Sequence, residues 1–317
     1  MINKINLILV FLTTCTLSLT AQQQAQYTQW MFNKQSLNSG YVVSDQYTSV
    51  SVLHRSQWAG LEGAPTSQSI NLKVPFKDKN IGLGLSINHD AIGPTNSWNI
   101  SGIYAYNFDF GNQRKLGFGL RGTARSYRVK YSETMAIISN DGTIPTSDQS
   151  KTIPNFGVGL YYNTPKFFIG LSVPHILEGD LTFFDTGSNT VKFSREEAHS
   201  YLMAGAILTL NDALKLKPSI LFKHVANSPF DFDLHSSLIF YDTFWAGLTY
   251  RFGGIGESVG ESIDLVLQLQ MNNTIRIGFA YDFTLSKVKD FNDGTFELVI
   301  DYSLNPNQGK LTNPRFF

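Results

Sequence analysis

The sequence predicts an all-β fold: a transmembrane, antiparallel, up-and-down β-barrel of about 14 strands, with short periplasmic turns and longer extracellular loops. Three observations lead there. Apolar residues alternate with period two along segment after segment, whereas helical spacing is nowhere sustained. Beyond the first residues, no stretch approaches the ~18 consecutive apolar residues of a membrane helix. The links between segments alternate long and short, as barrel turns and loops do.

Composition agrees. The 317 residues carry no net charge and only 16% charged side chains, against about a quarter in a soluble domain. The 24 Phe and 14 Tyr outnumber 4 Trp and 5 Met, a bias toward strands. A neutral chain offers no electrostatic pull toward nucleic acid.

The elements follow in order. Lys4, the apolar run from Ile5 to Leu12 and the small residue Ala21 read as a secretory signal peptide, residues 1–21. Cys15, the single cysteine, lies inside it, so the mature chain needs no disulfide. Residues 22–48 are an N-terminal periplasmic or plug segment. The barrel spans 49–304, with strands expected near 49–55, 67–75, 80–89, 96–110, 114–129, 154–163, 166–173, 198–210, 213–225, 230–241, 243–252, 262–271, 274–284 and 294–304. Residues 305–317 form a tail, and an even strand count puts both chain ends in the periplasm.

Alternation assigns the faces. Ile81, Leu83 and Leu85 oppose Gly82 and Gly84; Leu116, Phe118 and Leu120 oppose Gly117, Gly119, Arg121 and Arg125; Ile263, Leu265 and Leu267 oppose Asp264 and Gln268. The apolar set meets lipid, because the other set carries Arg121, Arg125, Lys217, Lys223, Arg251 and Arg276 against Asp233, Asp264, Asp282, Glu297 and Asp301. An arginine on the lipid face costs roughly 2–4 kcal/mol near the midplane. Leu83→Arg and Leu267→Arg should therefore disrupt assembly, and Gln268→Arg should not. The lumen face also has a bare lane: Gly82 and Gly84, Ser101 and Ala105, Gly117 and Gly119, Gly157 and Gly159. Glycine there marks either the close approach of another backbone, such as a plug, or wall curvature.

No motif carries catalytic chemistry, and no cofactor or metal is expected. The glycine-rich stretch Arg251–Gly256 lacks the lysine of a phosphate loop and precedes a strand. His224, Asp231, Asp233 and His235 do not converge under alternation.

Several segments resemble the PorP/SprF family of outer-membrane proteins of type IX secretion and gliding. Gln26-Tyr27-Thr28-Gln29-Trp30-Met31-Phe32-Asn33 is similar to its Q-Y-x-x-Y-M-F-N opening, with Trp30 at the second aromatic. Arg55-Ser56-Gln57-Trp58-Ala59-Gly60-Leu61-Glu62-Gly63-Ala64-Pro65 matches its R-x-Q-W-x-G-x-x-G-A-P. Asp90 with Gly93, Pro154-Asn155-Phe156-Gly157-Val158-Gly159, Leu216-Lys217-Pro218-Ser219, Trp245–Arg251, Tyr281-Asp282 and the closing Asn313-Pro314-Arg315-Phe316-Phe317 follow in order. After Asn38 the chain departs from the family pattern. The resemblance implies a secretion barrel without enzymatic activity, set in outer-membrane lipid. Its partners would be type IX components including the ring lipoprotein, and a secreted surface cargo such as a large adhesin. Tyr27, Met31, Phe32, Asn33, Arg55, Gln57, Trp58, Gly60, Gly63, Pro65, Pro314 and Arg315 are its candidate partner contacts. A passive porin and a soluble exported adhesin domain are the alternative readings.

Overall fold

A computed structural model describes residues 24–131, 147–185, 190–226, 228, 231–253 and 260–304. Its strands are β1 (Thr48–Ser56), β2 (Thr66–Phe76), β3 (Ile81–Ile92), β4 (Thr95–Asp109), β5 (Lys115–Val129), β6 (Gln149–Asn163), β7 (Phe167–Val173), β8 (Gly179–Asp185), β9 (Thr190–Glu196), β10 (His199–Ala206), β11 (Leu208–Thr209), β12 (Leu214–Val225), β13 (Asp231–Phe240), β14 (Phe244–Phe252), β15 (Ser262–Gln270), β16 (Ile275–Thr284) and β17 (Thr295–Leu304). Each barrel strand pairs antiparallel with its neighbours. β1 closes on β17, and β10 joins β7 to β12. β11 continues β10 in the same register across Ile207, so the closed wall has fourteen strand positions, as the sequence predicts.

Two features differ from the sequence expectation. The link expected over 90–95 is only Gly93-Pro94, because β3 and β4 stay paired out to Ile92 and Thr95. That tip is tied to its neighbours: the Gly93 N–H donates to Gly63 O at 2.9 Å, and the Lys130 N–H to Pro94 O at 2.9 Å. Loop length therefore alternates everywhere except at this hairpin. The long link after β7 also contains a separate hairpin, β8 on β9, that was not expected.

The facing assignment is seen directly. Leu83, Leu120, Phe156, Leu248 and Phe279 point outward and are exposed on the bare protein, while Arg121, Arg125, Lys217, Arg251, Asp264 and Asp282 are buried inside. An outward apolar band that stays exposed among the described residues is the surface that hydrocarbon covers.

The bore is filled. Residues 24–47 enter at the long-loop end, where Gln24 bonds to His175, and leave at the short-turn end, where Asp45 meets Lys73 Nζ at 2.5 Å. On the way the segment forms a three-ten turn at Trp30–Phe32, one α-turn at Lys34–Leu37 and a second three-ten turn at Ser39–Val43. Asn38 opens that last turn, its side chain accepting the Gly40 N–H at 2.9 Å. Thr48 and Leu304 share the short-turn end, but residue 24 lies at the opposite mouth. The expectation of both chain ends on one side therefore does not extend to it.

Candidate functional site: the occupied lumen

The small-residue lane is where this inner segment touches the wall. A Cβ on Gly119 would overlap Ser39, one on Gly117 the Gly40 carbonyl, and one on Gly159 Asn38. A Cβ on Gly82 would lie 2.8 Å from Val43 Cγ1, and one on Gly84 2.9 Å from Val42 Cγ2. Val42 and Val43 pack on Ile103 and Ala105 to complete this contact. Gly157 belongs to a different contact, its hydrogen face lying against the Pro174 backbone where the chain turns inward after β7. Gly170 and Gly278 do the same work against Asn38 and Gln29. Both were missed, although both stand at lumen-facing positions of the alternation.

Nearer the long-loop end the segment is held by charge. Arg55 on β1 pairs with Asp282 at 2.8 Å and Glu297 at 3.1 Å and donates to Thr28 Oγ1 at 2.7 Å. Thr28 Oγ1 donates to Asp282 Oδ2 at 2.7 Å, and the Thr28 and Gln29 N–H groups donate to the two Glu297 oxygens at 2.9 and 2.7 Å. Arg251 pairs with Asp233 at 3.0 Å, and Lys223 with Asp233 at 3.1 Å. Gln26 spans that group, accepting from Lys223 at 3.0 Å and donating to Asp231 at 3.0 Å. Buried charges need such partners, because desolvation of an isolated ion costs several kcal/mol.

Midway the contacts turn aromatic and amide. Phe32 packs on Trp245 with ring centroids 5.4 Å apart, and Trp30 and Met31 join Tyr161, Phe168 and Leu221. Lys34 Nζ stands 4.3 Å from the Phe168 ring centre, and the Arg276 guanidinium 4.6 Å from that of Phe32. Cations over ring faces are held by the ring quadrupole. Asn33 Oδ1 accepts from Asn71 at 2.5 Å, and Ser36 bonds to Ser69 at 3.2 Å. Arg121 donates its two terminal nitrogens to the Gln35 and Ser36 carbonyls.

The candidate contact residues lie as follows. Tyr27, Met31, Phe32 and Asn33 are buried inside the barrel, not presented to an outside partner. Arg55, 2% exposed, is likewise no surface anchor; its partners at Asp282, Glu297 and Thr28 hold it within the wall. Gln57, Trp58, Gly60, Gly63 and Pro65 form the β1–β2 loop. Its ends are joined by Gln57 N–H to Pro65 O at 2.9 Å, and it is stitched to the last loop by Ala59 N–H to Gly294 O at 2.8 Å. Trp58 is in the left-handed region at φ 51°, its N–H donating to Thr295 Oγ1 at 3.1 Å. Gln57, Trp58 and Pro65 line the mouth cavity. Pro314 and Arg315, and the core of the glycine-rich loop at 254–259, lie outside the described residues.

An arginine at position 268 would have to displace part of the inner segment. Gln268 is 2% exposed, and its Nε2 donates to Gln29 Oε1 at 3.2 Å beside Gly278. The bore at that level is packed rather than wet. Among the polar residues flagged by sequence, Asp233 is held by Lys223 and Arg251, His235 bonds to Thr249 at 2.8 Å and Ser237 at 2.5 Å, and His224 points out of the barrel. No group of three metal-binding side chains occurs among the described residues.

A closed fourteen-strand wall with an apolar exterior, its bore occupied by the segment preceding β1, defines an integral outer-membrane β-barrel. Its sequence places it more narrowly. The model of the type IX secretion system membrane protein PorP/SprF family matches residues 19–302, and the chain belongs to that family. No curated protein matches the sequence. Among solved structures, the TodX deltaS2S3 mutant, a monoaromatic hydrocarbon channel, has 10% identity and a TM-score of 0.51 over 89% of this chain and 95% of that one. The Ralstonia pickettii toluene transporter TbuX has 12% identity and a TM-score of 0.49 over 90% and 96%. The CymD monoaromatic hydrocarbon channel has 14% identity and a TM-score of 0.47 over 87% and 92%. Such identities speak to fold alone.

Proposed function

We propose that this barrel is a non-enzymatic component of the type IX apparatus that supports secretion or surface attachment of cognate cargo, an adhesin-like protein. In this reading the long loops face outward and the short-turn end faces the periplasm, where it meets secretion components including the ring lipoprotein. One observation carries it: residues 24–47 fill the bore from one mouth to the other. A passive porin needs a continuous water path, and the packed segment speaks against one.

Deleting the gene and measuring the surface proteome tests the proposal. Loss of one large surface protein is the expected result for a dedicated partner, and broad loss for a core role. An unchanged surface removes the secretion reading. Liposome conductance separates the alternative, since a steady open pore would favour the porin.

A further inference from the structure

The lipid-facing wall ends differently on its two sides. Near the long-loop ends of β12, β13 and β14 the apolar band closes with Phe222, Phe232 and Phe252, whose ring centroids are 5.9 and 4.9 Å apart in turn. Near the long-loop ends of β1 to β4 it closes with His54, Gln68, His89 and Trp98, which stand opposite one another in strand register. These four side chains form one chain. Gln68 Nε2 meets His54 Nδ1 at 3.3 Å, His89 Nδ1 meets Gln68 Oε1 at 2.6 Å, and the His89 ring centre lies 4.3 Å from that of Trp98. An amide oxygen only accepts, so His89 donates to Gln68, and Gln68 in turn donates to His54. All four are open to the outside: His54 is exposed, Trp98 is 48% exposed, and Gln68 and His89 are half-buried.

The register fixes the depth of this row. One step toward the short turns the outward residues are Val52, Ile70, Ile87 and Ile100; one step toward the loops they are Ser56, Thr66, Ala91 and Asn96. Hydrocarbon therefore ends at the row, since polar side chains are costly within it. A Trp at that boundary is ordinary, because its ring is amphipathic. Two imidazoles and a linking amide are not, when phenylalanine closes the band on the other side. What adjoins them is the headgroup of the lipid whose chains cover Ile70, Ile87 and Ile100.

The chemistry of the row selects that headgroup. Four neighbouring strands set a polar edge of about 14 Å side by side, enough for one disaccharide. The row holds no Lys, Arg, Asp or Glu, so a bare phosphate finds no cation in it. It offers donors and acceptors interleaved beside an exposed indole. Sugar hydroxyls both give and take hydrogen bonds, and the C–H face of a sugar ring packs on an indole.

We propose that the β1–β4 side of the barrel binds the disaccharide headgroup of an outer-leaflet glycolipid, with its acyl chains on the isoleucines below. The site is independent of any cargo. Only its leaflet rests on the orientation given above, with the long loops outward.

The test is native mass spectrometry of the full-length barrel in detergent, titrated with lipid A or with cardiolipin. Both lipids carry two phosphates and several acyl chains, but only lipid A has a sugar disaccharide. One lipid A per barrel is expected, held about tenfold or more tighter than cardiolipin. His89→Leu and Trp98→Leu should each bring lipid A down to the level of cardiolipin without moving cardiolipin. Leucine already stands on this face at Leu83 and Leu85, so both variants should keep the heat-dependent gel mobility of the parent. Phe252→Leu, on the other side, should change neither lipid. Equal retention of the two lipids, or lipid A binding unaltered in both variants, overturns the site. The leaflet is read separately with Glu62→Cys in the exposed β1–β2 loop. Labelling by a membrane-impermeant maleimide on intact cells is expected; protection overturns the outer-leaflet placement, and the lipid titration alone then decides the headgroup site.

Discussion

At the scale of single residues, the wall distinguishes glycines that look alike in the sequence. Gly119 and Gly122 share β5 but face opposite ways. A Cβ at 119 overlaps Ser39, whereas one at 122 meets nothing within 4 Å. Gly119→Ala should lower stability by about 1–3 kcal/mol through overpacking, and Gly122→Ala should be close to neutral; the midpoint of heat-dependent gel mobility reads both. Arg55→Met should cost more, about 3–5 kcal/mol, because it strands the Asp282 and Glu297 carboxylates together inside the wall. The glycine lane was legible beforehand because strand parity alone assigns it. Arg55 was not: its partners lie 27 and 242 residues away, and no local pattern announces such a pairing.

At the scale of elements, alternation located the barrel strands because each has one face against lipid and one against packed polar groups, which makes period two nearly obligatory. β8 and β9 escaped because they break that rule. Phe183 and Phe184 are adjacent in sequence, and the pairing shifts register between Leu181 and Thr182 and again before Phe184. A bulged strand has no clean period to read. The inner segment was legible as a plug or a periplasmic segment, but its course was not, for a related reason: its short turns mix Trp, Met and Phe with Gln, Asn and Ser, and every one of them ends up buried. The faces still predict how substitutions fail. Leu267→Arg, on the lipid side, should block assembly at roughly 2–4 kcal/mol near the midplane and give no heat-shifted band. Gln268→Arg should give a folded barrel with Gln29 displaced, seen as new protease cleavage within residues 24–47.

At the scale of the whole molecule, closure of the bore makes the electrical prediction. The intact protein in planar bilayers should show no steady conductance, and Gly119→Ala should show intermittent openings as the segment loosens. A covalent tether gives the converse. The only native cysteine is Cys15, and the Ser36 and Ser69 hydroxyls lie 3.2 Å apart, so Ser36→Cys with Ser69→Cys places two thiols within reach of each other. Oxidation of that pair should form one disulfide and suppress the openings of Gly119→Ala, and reduction should restore them. Openings that survive oxidation would place the conducting path elsewhere.

The position of Thr28 and Gln29 has one more effect. They contact Arg55 on β1 and Glu297 on β17, the first and last strands, and Tyr27 packs against Leu53 and Val299 from the same pair. The inner segment thus acts as a latch across the one joint of the wall that unites the two ends of the sheet. Withdrawing the latch would strip side-chain contacts from both closing strands at once and leave the backbone ladder from Thr48–Leu304 to Ser56–Phe296 to hold the joint alone.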